Sequence, residues 1–249
     1  MPRKILFGQY FECLARLTGL TIAMVMSISS SAWAAPFVHL SNDVGANNGG
    51  SYGSITLTVT STGASHLLVV GVDWSALAAP PTVSDNQGNT YHQVSSTQTD
   101  GAGEDYVTLF YSNNSTAGVT SVTVTSTSQF SNAVFSEFSG GNVAYPTDGA
   151  AVGAAPTNTT LADSGAFTPS EAGDLLICIA FNYQATVNAT PGTGFTGINI
   201  NNSTFIMEYQ VYSSVAAIHG TALFNVSSND PTVMQAFAPT VKHKVMTAP

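Results

Sequence analysis

His66-Leu-Leu-Val-Val-Gly-Val-Asp-Trp74 is a short apolar run, rich in β-branched residues and flanked by polar turn material. A run with no polar alternation leaves no face for water, as in a strand buried on both sides. A second such run, Asp174-Leu-Leu-Ile-Cys-Ile-Ala-Phe-Asn-Tyr183, follows with Leu175 standing 108 residues after Leu67. Two core strands of this kind, one per half of the chain, predict an antiparallel β-sandwich.

Around these runs the chain alternates. Ile55, Leu57 and Val59 face one way and Thr56, Thr58 and Thr60 the other, the period-2 signature of a half-buried strand. Further strands are expected at Phe37–Leu40, Tyr106–Ser112, Val119–Ser126 and Ala133–Phe138. Asn42–Gly53 reads as a Gly/Asn loop. Thr82–Ser84 and Thr90–Val94 read as a hairpin around Asp85-Asn-Gln-Gly-Asn89, by their turn residues. Gly149–Ala172 reads as a looser crossover. No window has a helical period with caps, so the class is all-β, jelly-roll-like.

The second half retraces the first. Gly194–Ile198 falls where Gly88–His92 falls, Phe205–Tyr212 answers Val107–Tyr111, and Ala222–Val226 and Thr232–Phe237 answer Val122–Val124 and Ala133–Phe138. The offset drifts to 99 at Phe138 and Phe237, as loop deletions would cause. The pattern fits an internal duplication. Its halves either pair as one sandwich or form two small ones. A half of this size with few large aliphatics makes a marginal core, which favours one sandwich over 35–240.

Met1–Ala34 has the form of a secretory signal: Arg3, Lys4 and Arg16, then an apolar Leu17–Ile28, then Ala32-Trp-Ala34. The apolar run is too short to span a bilayer, and no later stretch is long enough. The expected product is a secreted or cell-surface domain with a C-terminal tail at 241–249. Without residues 1–34, two lysines, Lys242 and Lys244, stand against thirteen carboxylates, a net charge of −11. A body with no basic residue cannot neutralise phosphates, which excludes nucleic acid as a partner. The abundant Ser, Thr, Asn and Gly make a neutral-polar surface, suited to sugar. Cys178 is the one cysteine after the signal and reads as a small buried hydrophobe.

The order Leu-Leu-Val-Val-Gly-Val-Asp-Trp, Val-Ser-Asp-Asn-Gln-Gly-Asn-Thr-Tyr, Leu-Phe-Tyr-Ser, Val-Thr-Val-Thr, Ser-Glu-Phe-Ser-Gly resembles an uncharacterised β-sandwich module of secreted bacterial proteins, often found near adhesive or Ig-like repeats. The similarity spans roughly Phe37–Pro239. It implies export and a β-sandwich, and carries over no active site.

Catalytic patterns are weak. Gly49-Gly-Ser-Tyr-Gly53 satisfies G-x-S-x-G, but the nucleophile elbow needs a strand before and a helix after. His39, His66, His92, His219 and His243 show no metal-ligand spacing and read as surface or edge histidines. Glu137 and Glu208 lie within strands and would make a glycosidase pair only if they faced each other. Asp100, Glu104 and Asp105 share a Gly-rich loop that could offer Ca²⁺ its oxygens. Among the aromatics, Trp74 and its echo Tyr183 end the two core strands, where they could stack on a sugar ring. The function expected is a non-enzymatic module binding polysaccharide or a cell-surface glycan. Its alternatives are a self-assembling structural subunit of a matrix, appendage or coat, and a hydrolase with a dispersed site.

Overall fold

The computed structural model describes residues 36–75, 79–198 and 203–240. The signal peptide expected over 1–34 and the tail expected over 241–249 lie outside the described residues. The described residues fall in one compact unit and include no helix.

The first half contains β1 (Val38–His39), β2 (Val44–Thr58), β3 (Leu67–Ser75), β4 (Thr82–Asp85), β5 (His92–Gln93), β6 (Gln98–Thr99), β7 (Asp105–Ser112) and β8 (Ser121–Ser139). The second contains β9 (Val152–Ala154), β10 (Thr159–Phe167), β11 (Asp174–Phe181), β12 (Thr190–Pro191), β13 (Thr196–Ile198), β14 (Phe205–Tyr212), β15 (Ile218–Ser228) and β16 (Thr232–Phe237). All pairings are antiparallel. The strand order β1-β8-β3-β7-β5 in the first half is repeated as β9-β16-β11-β14-β13 in the second. The start of β8, between β2 and β4, is matched by β15 between β10 and β12. Register agrees as well: Leu67 pairs with Phe138, and Leu175 with Phe237. The internal echo in the sequence is therefore a repeated topology.

Each half is a small sandwich, and the two pack face to face. The even side of β3 (Leu68, Val70, Val72, Trp74) packs on Ile55, Leu57, Val122 and Val124 of β2 and β8. Its odd side (Leu67, Val69) packs on Leu175, Ile177, Ile179 and Phe181 of β11 across the central interface. The far side of β11 (Leu176, Cys178, Ala180) meets β10 and β15 through Phe167, Ala162, Ala222 and Phe224. Four layers result, with β3 and β11 in the two middle ones. This explains why both runs are apolar without alternation. The halves thus pair across a central interface within one compact unit, as expected of a β-sandwich, and each half contributes two layers.

Three local readings change. Val44–Thr58 is one strand where Asn42–Gly53 read as a loop. It follows β8 from Ser121 to Phe135, with register shifts between Asn47 and Gly53. Gly49, Gly50 and Gly53 adopt φ of 68°, 74° and 115° there, which only glycine adopts without strain. Ser51 thus sits in a paired strand with no helix after it, so no nucleophile elbow exists. Second, β4 pairs with β8 and β5 with β7, so no hairpin joins them. Asp85 instead closes its own turn, accepting the N–H of Gln87 at 2.9 Å and of Asn89 at 3.1 Å. Third, the two strands read at 119–126 and 133–138 are one, β8, and the crossover at 149–172 contains β9 and β10.

Candidate functional site

A cleft of about 320 Å³ opens beside the start of β3, lined by Leu40, Ser41, Asn42, Thr60, Ser61, Gly63, His66 and Glu137. Three segments meet here. The 40–42 segment is tied to β8 by Leu40 N–H donating to the Glu137 carbonyl at 3.0 Å. The loop before β3 is tied to the 115–119 segment: Ser65 N–H donates to the Ser115 carbonyl at 2.8 Å, and Thr62 N–H to that of Val119 at 3.1 Å. Glu137 comes up from β8 and is buried.

The buried carboxylate is held on three sides. Its Oε1 accepts the Gly63 N–H at 2.9 Å and faces His66 Nδ1 at 2.5 Å, while Oε2 accepts Asn42 Nδ2 at 2.7 Å. Asn42 is itself fixed, accepting Thr60 N–H at 2.9 Å and donating to the Thr60 carbonyl at 2.7 Å. A carboxylate can only accept, so His66 places its N–H at Nδ1 and leaves Nε2 as an acceptor. The imidazole is partly exposed and lies against Gly63, where a Cβ would stand 2.2 Å from its Cε1. The hydroxyls of Ser41 and Ser61 make no hydrogen bond within the protein among the described residues. Ser41 also adopts a φ of 54°, uncommon for a residue with a side chain.

The second half has no copy of this site. By register, the positions matching His66 and Glu137 are Asp174 and Ala236.

The residues singled out in the sequence fare differently. Trp74 is 2% exposed and stacks on Tyr106 with centroids 5.4 Å apart, so its ring faces the core and offers no sugar platform. Tyr183 is 57% exposed but is not its counterpart. Counting from Leu67 and Leu175, Trp74 matches Asn182, and a one-residue slip in a strand reverses the face. Asp100 turns its Oδ1 to its own loop, accepting the N–H of Ala102 and of Glu104, each at 3.1 Å. Glu104 is exposed, and Asp105 accepts Ser75 Oγ at 3.0 Å. Burial pushes the Asp105 carboxyl up, and its neighbours Asp100 and Glu104 add to the rise. Among the described residues no group of three or more His, Cys, Asp or Glu could hold a metal ion, so the expected calcium site is not assembled.

Glu137 and Glu208 do not face each other. Glu208 lies in β14 of the second half, buried beside Cys178, its register partner on β11. Its Oε2 accepts Gly192 N–H at 2.8 Å, and burial pushes its carboxyl up to about 8. It is an acid buried in a core. Asp230 is treated similarly, pushed up to about 7 by burial, and Asp73 also rises well above the usual carboxylate range. Cys178 is buried, as read from its strand.

A common cause underlies these arrangements. The described residues contain no Lys or Arg, so the buried carboxylates among them meet amide, hydroxyl or imidazole groups, and burial without a cation pushes several of them up. His39 serves Asp43 at 2.9 Å and His219 serves Asp163 at 2.8 Å, while the His66–Glu137 pair lines the cleft of about 320 Å³. Sequence spacing could not reveal that pair, since its members lie 71 residues apart, His66 in the loop before β3 and Glu137 within β8. No family model, curated protein or solved structure matches the chain.

Proposed function

We propose that the protein is an exported saccharide-binding module whose site is the His66–Glu137 cleft, and that its ligand is an uncharged polysaccharide or cell-surface glycan. The observation carrying this reading is the cleft's lining: hydroxyls and an imidazole, preorganised by one buried carboxylate, beside one exposed aliphatic residue, Leu40, with no Lys or Arg. His66 Nε2 and the hydroxyls of Ser41, Thr60 and Ser61 suit sugar hydroxyls, which both donate and accept. Leu40 suits the C–H face of a ring. The volume lies at the low end of ligand pockets, enough for a chain end or a short segment.

The test is binding of the full chain to soluble glycans and to insoluble polysaccharides, with and without EDTA. Saturable binding that EDTA leaves unchanged, and that His66→Ala weakens at least tenfold, supports the assignment. Absence of binding to every glycan in the panel sinks it.

A second reading, a self-assembling structural subunit, is favoured by the outer face of β10 and β15. There Leu161 and Leu223 are register partners, 44% and 49% exposed. Sedimentation of the chain distinguishes it: an ordered oligomer that Leu223→Ser disperses supports assembly, and a monomer at all concentrations removes it.

A further inference from the structure

We propose that the same cleft hydrolyses ester-linked acyl groups, with Ser41 as the nucleophile, His66 as its general base and Glu137 as the residue that positions the imidazole. The substrate class, an O-acylated saccharide, rests on the glycan reading above; the hydrolytic chemistry does not.

Glu137 holds Nδ1 at 2.5 Å and is itself anchored by Asn42 and the Gly63 N–H, so ring tautomer and orientation are fixed before any ligand arrives. A carboxylate buried behind a histidine whose other nitrogen is left as an acceptor is the base arrangement that serine nucleophiles need. His39 and His219 also meet carboxylates, but the described cleft is not lined by either. The bare Gly63 beneath the ring has the same effect as the hydrogen bonds: it gives the imidazole a seat that any side chain would fill.

Ser41 is singled out among the cleft hydroxyls by its backbone. It is exposed, its hydroxyl is unengaged, and its φ of 54° places it in the left-handed region. Strained backbone at a reactive residue is held in place by its surroundings. Here the neighbours are held: Leu40 N–H is bound to the Glu137 carbonyl, and Asn42 to both Thr60 and Glu137. Thr60 and Ser61 do not share this conformation. The chain order Ser–His–Glu is no obstacle, since such sites are defined by geometry and not by order.

The chemistry closes on itself. Ser41 Oγ attacks the acyl carbon while its proton passes to His66 Nε2. The tetrahedral adduct expels the sugar oxygen, which takes that proton and leaves as an alcohol. Water, deprotonated by His66, then attacks the Ser41 ester. The carboxylic acid departs, and the proton returns to Ser41 Oγ. Only water is consumed, and no redox change occurs.

The experiment uses the full chain with a fluorophosphonate probe and with p-nitrophenyl acetate. Intact mass and peptic fragments should locate one probe adduct on Ser41, and His66→Ala should abolish labelling. Ser41→Gly, which relaxes the left-handed φ and so keeps the fold, should lower esterase turnover at least a hundredfold. Glycan binding by Ser41→Gly is measured in parallel: removing one of several sugar-binding hydroxyls should weaken binding far less than it lowers turnover, which separates the two roles. Failure of all glycan binding with turnover intact sinks only the glycan reading. No adduct, an adduct on another residue, or full turnover in Ser41→Gly overturns the proposal.

Discussion

Gly63 and Glu208 are decided by what stands within a few ångströms of them. At Gly63 a methyl group would meet the His66 ring at 2.2 Å, and the ring is pinned by Glu137. Gly63→Ala should therefore displace the imidazole and cost about 1–3 kcal/mol, as overpacking does. Loss of the His66–Glu137 contact in the His66 ring NMR signals, with a lower Tm, checks it; unchanged signals would refute it. At Glu208 the argument concerns protons. Its carboxyl is pushed up to about 8, against an ordinary value of 4.5. Below pH 4.5 folded and unfolded chains both hold the proton. As pH rises towards 8 the unfolded chain releases it first, so stability present at low pH is lost. At about 1.4 kcal/mol per unit this amounts to a few kcal/mol. Thermal melts should fall from pH 5 to pH 8, and Glu208→Gln should flatten that slope; parallel slopes would contradict the assignment. None of this was legible in the sequence. Glu137 and Glu208 both read only as acids within strands, because a single acid in a β-pattern carries no record of which layer it enters. Trp74 read as a platform for the same reason.

Strands carried more of the message than sites did. The runs at 66–74 and 174–183 announced β3 and β11, since burial on both faces erases alternation, and the echo between halves became a shared strand order. What strand patterns left out was length and partner. β8 continues through polar Ser126–Asn132 because β2 accompanies it, and long-range pairing overrides the local composition that suggested a break. The central interface holds a test of the repeat. Gly71 of β3 and Ile179 of β11 are equivalent by register, and they meet: a Cβ on Gly71 would lie 2.8 Å from Ile179 Cγ2. Gly71→Ala should destabilise by about 1–3 kcal/mol. Combined with Ile179→Ala, which opens the space, it should cost less than the two singles added. A denaturant-based double-mutant cycle reads the coupling, and strict additivity would mean the layers do not touch there.

At the scale of the whole molecule, each half has a core of its own but leaves one face of its middle layer apolar. Leu67, Val69, Leu109 and Phe138 on one side need Leu175, Ile177, Phe205 and Phe237 on the other. Fragments 36–141 and 142–240 expressed separately should aggregate or associate, and mixing them should restore a 1:1 complex with the parent's near-ultraviolet CD. Two stable monomers would show that the central interface is dispensable. The scarcity of cations has a consequence of a different kind. Between Arg16 and Lys242 there is no Lys or Arg, so a protease that cuts after basic residues finds no bond to cleave, folded or unfolded. A domain of this composition survives trypsin-like enzymes without relying on its stability, and a routine tryptic digest of the full chain would return it as one fragment, 17–242, too large to be noticed.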